Sequence, residues 1–149
     1  MVKKHSELFL IPLLAGLVFF DQLTKFIARD YMVNSIPVIK NFLHLTFVMN
    51  SGVAFGFLQG TNDIFVWLYI VVLGLIVFFY DKFPKDRFCR VMLFFIIAGV
   101  AGNFIDRIVF GYVVDFIDLR IWPVFNVADI YLVVGIVGII GRELFKKKK

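Results

Sequence analysis

The sequence predicts a membrane protein of the all-α class, with four transmembrane helices, a small extracytoplasmic β-sheet and a short amphipathic segment. Three observations predict it. Of the 149 residues 61% are hydrophobic, and the mean hydropathy is +0.91, far more apolar surface than one soluble core consumes. Four apolar runs of roughly 20 residues, each long enough to cross a hydrocarbon core, lie at about 7–28, 62–80, 88–110 and 127–145. The net charge of +5 is gathered at the ends of these runs rather than along one amphipathic face. It therefore reads as membrane topology and not as a nucleic-acid surface.

The first run follows Lys3 and Lys4, as a secretory signal would. However, no small-x-small cleavage site follows it, and Asp21 and Lys25 interrupt its end, so a retained helix is expected. Leu43 to Asn50 alternates as a half-buried strand does and ends in a Ser51-Gly52 turn. From Gly52 to Gly60, glycines at 52, 56 and 60 with Phe55 and Phe57 between them suit either a mobile amphipathic flap or an interfacial anchor. After the third run, Val113 to Ile121 mixes Asp115 and Asp118 with β-branched and aromatic residues, a second candidate strand, and Trp122 suits the headgroup region.

If the helices alternate in direction, Lys3, Lys4, Lys82, Lys85, Arg87, Arg90, Arg142 and Lys146 to Lys149 fall on one side. The opposite loops hold little beyond Lys40 and Arg120. This bias puts both termini in the cytoplasm and segments 30–61 and 111–126 outside. One domain, 1–149, accounts for the chain.

The polar residues that remain concentrate toward the outer face. Asp21 and Lys25 are one helical turn apart and can neutralise each other, as a structural clasp or in contact with substrate. Gly99, Asn103, Asp106 and Phe110 follow the spacing of one helix face, with Arg107 beside Asp106 as its expected ionic partner, while Gly99 and Gly102 permit close helix approach. Asp115 sits among apolar neighbours, either as an edge-strand charge facing water or as a carboxyl that keeps its proton. Asn126 and Asp129 have the order of a helix cap followed by an acid at the positive end of the dipole. Capping and catalysis are compatible: an ionised Asp129 and a protonated Asp115 would form a base and an acid able to activate water against an amide.

Other hydrolytic chemistries lack their residues. His5 and His44 are the only histidines, no HExxH occurs, and the single cysteine, Cys89, falls on the cytoplasmic side, so no metal site is expected. A Ser51–Lys25 dyad stays open on residue type alone. A small proton-coupled transporter is the rival from another class, since intramembrane Asp and Arg also build proton relays.

Five ordered motifs resemble those of lipoprotein signal peptidase, also called signal peptidase II. They are Asp21-Gln22-Leu23-Thr24-Lys25, Asn50-Ser51-Gly52-Val53-Ala54-Phe55, Gly102-Asn103-Phe104-Ile105-Asp106-Arg107, Val113-Val114-Asp115-Phe116 and Phe125-Asn126-Val127-Ala128-Asp129. Each is weak alone; their joint order across four spans is specific. The resemblance implies that Asp115 and Asp129 are the catalytic aspartates and that Asp106 belongs to a supporting network with Asn103 and Arg107. It further implies that Asn50, Gly52, Asn126 and Ala128 line or shape the site; Asp21, Lys25 and Gly99 are expected from their spacing alone to support it. One departure is visible, Ala98-Gly99-Val100 where the family has Gly-Gly-Ala. The implied partner is a prolipoprotein carrying a diacylglyceryl cysteine, met in the lipid of the bacterial cytoplasmic membrane by a monomer without cofactor.

Overall fold

The computed structural model describes residues 8–32, 34–52 and 61–146. Lys3, Lys4 and His5, the expected amphipathic segment beyond Gly52, and Lys147 to Lys149 lie outside the described residues. Helix α1 spans Leu10–Tyr31, β1 Ile36–Ile39, β2 Leu43–Asn50, α2 Asn62–Phe78, α3 Arg87–Phe110, β3 Val113–Asp118 and α4 Val127–Lys146.

Pro12 falls in the first turn of α1, where a missing N–H costs no hydrogen bond. The helix continues past the expected end at 28 because Arg29 finds partners there. Its Nε donates to Asp30 at 2.9 Å and its guanidinium lies 4.7 Å from the centre of the Phe110 ring. Among the described residues, α1 and α3 are long and apolar enough to cross a membrane. Helix α2 has 17 residues, about 26 Å of rise, and a single 3-10 turn, Tyr80–Lys82, follows it. Helix α4 has 20 residues and is apolar between Asp129 and Arg142.

Helix α3 is the central element and touches the other three. Its contact with α4 is close because Gly99 has no side chain: a Cβ there would stand 2.5 Å from the Ala128 carbonyl oxygen and 2.7 Å from Leu132 Cγ. At Gly102 a Cβ would collide with the Asp21 carboxylate. These two positions let α1, α3 and α4 meet over a layer of polar side chains.

Burial is inverted relative to a water-soluble protein. Asp21, Asp106 and Asn126 are 0% exposed, whereas Phe78 is 78% and Phe19 68% exposed. Apolar side chains facing outward along the helices, with ion pairs inside, match hydrocarbon as the surrounding solvent.

The sheet is antiparallel in the order β1-β2-β3, at the end of the helices where α1 and α3 finish and α2 and α4 begin. Strand β1 is a short edge containing Pro37, and all four of its residues are exposed. A one-residue shift in the β2–β3 register between Leu45 and Val48 brings Asn50 opposite Val113 and Val48 opposite Asp115. Strand β3 is almost wholly buried, so Asp115 at 3% exposure is not an edge charge facing water. The strand stops at Asp118, short of Ile121, because the Arg120 amide donates to Asp118 Oδ1 at 2.8 Å and Arg120 turns the chain at φ 65°. Returning, Phe125 pairs with Ile117 and delivers the chain to the start of α4. Beneath the sheet, Val114 and Phe116 pack on Ala28 of α1, with Phe47, Tyr112 and Val127 around them.

Candidate active site

Three local devices bring the polar residues together. Gly111 ends α3 with φ 77°, the left-handed conformation that glycine adopts without strain. This reversal throws β3 back against α3, so that the Val114 amide donates to Asp106 Oδ2 at 3.0 Å. At the start of α4, Asn126 and Asp129 cap reciprocally. The Asp129 amide donates to Asn126 Oδ1 at 3.0 Å, and the Asn126 amide donates to Asp129 Oδ2 at 3.1 Å. The Ala128 amide, another donor free of helical bonds, reaches Asp21 Oδ1 at 2.8 Å.

A supporting layer lies below. Lys25 Nζ makes three contacts, to Asp21 Oδ2 at 2.9 Å, Asp106 Oδ2 at 3.1 Å and Asn103 Oδ1 at 2.9 Å. Its three N–H groups are thus committed, which removes the Ser51–Lys25 dyad. The expected Asp106–Arg107 pairing is corrected here. Adjacent helical residues point about 100° apart, so Asp106 faces Lys25 while Arg107 faces α2. Gln22, which the sequence did not single out by itself, donates from Nε2 to Asp106 Oδ1 at 3.0 Å and to the Gly102 carbonyl at 3.1 Å. Phe110 leaves the buried seam and is partly exposed beside Arg29.

Above this layer, Asp115 and Asp129 line one cleft of about 280 Å³, together with Asn50, Gly52, Phe65, Tyr69, Asn103, Arg107 and Trp122. The two carboxylates share their amide partners. Asn126 Nδ2 donates to Asp115 Oδ1 at 2.6 Å and to Asn103 Oδ1 at 3.1 Å. Asn103 Nδ2 donates to Asp129 Oδ1 at 2.9 Å. From the other side, Asn50 Nδ2 donates to Asp115 Oδ2 at 2.8 Å, and Asn50 Oδ1 accepts from the Gly52 amide at 3.1 Å, fixing which way the Asn50 amide points.

Asp115 is held away from the ordinary carboxylate range. Burial is the main cause, the Asp129 charge adds to it, and the Asn50 and Asn126 hydrogen bonds oppose it; together they push its pKa from 3.8 up to about 7. Asp129 is half-buried at a helix N-terminus that favours negative charge. Two carboxyls in one cleft thus differ in burial and in hydrogen-bond partners. No cluster suited to a metal ion occurs among the described residues.

Chain reversal at both ends of a polar layer, lipid-like burial and an unequal carboxyl pair together have the character of a membrane-embedded enzyme. Solved structures agree. A bacterial membrane enzyme determined by the in meso method at 2.3 Å superposes with a TM-score of 0.82 at 38% identity, covering 93% of this chain and 88% of its own. A second, at 1.9 Å, gives 0.79 at 39%, covering 91% and 92%. The family model described as Signal peptidase (SPase) II matches residues 13–145, and the chain belongs to that family. Similar relatives include the lipoprotein signal peptidase of Caldanaerobacter subterraneus subsp. tengcongensis, 45% identical over 91% of this chain and 96% of the relative. That of Moorella thermoacetica is 48% identical over 84% and 86%.

Proposed function

We propose that this chain is an aspartyl endopeptidase of the bacterial cytoplasmic membrane that removes signal peptides from prolipoproteins. The cleaved bond is the one before the diacylglyceryl-modified cysteine. Family membership supports the substrate. One observation carries the chemistry: Asp115 and Asp129 line the same cleft, joined through Asn126 and Asn103, with Asp115 pushed up to about 7.

In this mechanism Asp129 is the ionised base and Asp115 the acid. A water between them gives its proton to Asp129 as its oxygen attacks the scissile carbonyl, and Asp115 protonates the carbonyl oxygen. Collapse of the tetrahedral intermediate breaks the C–N bond. Asp129 then passes its proton to the leaving amine, and the hydroxyl proton returns to Asp115. Asn50, Asn103 and Asn126 orient the carboxyls and the peptide backbone. Asp21, Lys25, Asp106 and the small residues Gly99 and Ala128 hold the helices that carry the pair. Acid and base both come from side chains, so the reaction needs neither metal nor cofactor.

Four helices span the bilayer in this reading, with both termini cytoplasmic and the sheet and cleft on the extracytoplasmic face. The protein acts as a monomer, lipid lies against its outward apolar side chains, and nucleic acid has no part. Arg, Lys, His, Asp and Glu are absent from residues 11–20, 64–79, 91–102 and 130–141. A proton-coupled transporter would need such groups through the membrane depth.

The test is cleavage of a diacylglyceryl-modified prolipoprotein by purified protein in detergent. Wild type should cut before the lipidated cysteine, and folded Asp115→Asn and Asp129→Asn variants should each lose at least about a thousandfold in kcat. Normal turnover by both variants would overturn the mechanism.

A further inference from the structure

We infer that Phe65 and Tyr69 of α2 are positioning residues of the cleft, acting through the Arg107 guanidinium to aim it at a backbone carbonyl of the bound peptide. The inference rests on the peptidase reading above and adds to it a part for α2, a helix that no motif of the sequence had marked.

Phe65 and Tyr69 are one helical turn apart and share a face of α2. The Arg107 Cζ lies 4.3 Å from the Phe65 ring centre and 6.0 Å from that of Tyr69. Tyr69 is in turn set edge-on against Phe104 of α3, with centroids 6.4 Å apart. Two hydrogen bonds tie the end of the guanidinium: Nη2 donates to the Gly52 carbonyl at 2.7 Å and Nη1 to Asn62 Oδ1 at 3.3 Å. Asn62 Nδ2 also donates to the Arg107 carbonyl at 3.2 Å, which fixes the start of α2 to the end of α3.

Each Nη spends one of its two N–H groups on these bonds and two aromatic rings hold the plane of the cation, so three of the five N–H groups remain, the Nε–H among them. Arg107 is only 4% exposed, and its buried Nε–H has no acceptor among the described residues. A buried donor without an acceptor is costly and rare in a native structure. Arg107, Phe65 and Tyr69 all line the cleft that holds Asp115 and Asp129. A peptide carbonyl entering that cleft supplies an acceptor for the guanidinium N–H groups that remain, and the ring faces keep them in place for it. Such a contact exists before and during reaction alike, so it governs binding more than turnover.

The experiment measures KM and kcat separately on a lipidated prolipopeptide. Phe65→Leu should raise KM by roughly tenfold, within the range for loss of a cation–π contact, with kcat within about twofold of wild type. Phe65→Trp, which keeps an aromatic face, should restore KM, and Tyr69→Leu should raise it. In an Arg107→Lys background, Phe65→Leu should add little, because the partner it positions is already gone. Where Phe65→Leu fails to fold in a detergent melt, Phe65→Met, similar in volume but without a ring, replaces it. Equal defects in Phe65→Trp and Phe65→Leu, or a full additive loss in the Arg107→Lys background, would overturn the inference. The peptidase reading is scored separately by the inactivity of Asp129→Asn on the same substrate.

Discussion

Replacing Asp115 by Asn should abolish cleavage and also change how stability depends on pH, and the second effect can be worked from the structure. In the unfolded chain the Asp115 carboxyl ionises near its ordinary value of 3.8, whereas in the folded protein burial and the Asp129 charge hold the proton until about 7. A carboxyl whose folded value is raised opposes folding increasingly as pH climbs between those two values, then by a constant amount above the folded one. From pH 5 to pH 8 this single group withdraws roughly 3 kcal/mol from the wild type. Asn carries no such charge. The variant forfeits about 1 kcal/mol at every pH, because its amide faces the Asn50 amide, which donates to Asp115 Oδ2. Measured as variant minus wild type, that constant loss cancels between the two pH values. The assay is unfolding in detergent at pH 5 and pH 8. The variant should gain on the wild type by about 3 kcal/mol across the interval, roughly 6–12 °C in melting temperature. A difference between variant and wild type that does not change with pH would refute the claim that Asp115 keeps a proton in the folded state.

Two further substitutions test what lies beneath the cleft. Lys25→Met removes the ammonium shared by Asp21 and Asp106 and should destabilise by about 3–5 kcal/mol, the usual result of leaving buried charge unpaired; a melt within experimental error of wild type would contradict the shared role. Gly99→Val introduces a Cβ 2.5 Å from the Ala128 carbonyl oxygen and should cost about 1–3 kcal/mol through overpacking. Because Ala128 directly precedes Asp129, kcat should fall with it, and an unchanged kcat would show that the α3–α4 contact does not position the carboxyl.

Much of the polar layer was legible because charged and amide side chains inside apolar runs are expensive and therefore conspicuous. Asp21, Lys25, Asn103 and Asp106 stood out for that reason. What the spacing could not supply was partnership. Arg107 follows Asp106 in sequence, which suggested an ion pair, yet the helical rotation between them sends one toward α1 and the other toward α2. Gln22 was hidden by its ordinary polarity, and Phe65 and Tyr69 by belonging to a run that is apolar or aromatic throughout from Ile64 to Tyr80. Strand β1 left little signal, being four residues long with Pro37 inside it and no buried side chain to impose alternation. Leu43 to Asn50, by contrast, alternates in sequence, and Leu45 and Phe47 from it pack against the core. The Asn-x-x-Asp order at Asn126 read as a cap, and a reciprocal cap is what occurs; that the same Asn126 side chain would reach Asp115 across eleven residues depended on the return of Phe125 against Ile117.

The shared lysine also bears on how the chain is made. On the proposed topology α1 leaves the ribosome before α3 and carries Asp21 and Lys25 one turn apart, a pair that can balance its own charge. Helix α3 arrives later bearing Asp106, whose ammonium partner is Lys25 on α1. Until the two helices meet, Asp106 lacks that ammonium partner; in the finished fold it also accepts from the Val114 amide near the start of β3. Helix docking and the anchoring of the strand that bears Asp115 thus converge on one carboxylate.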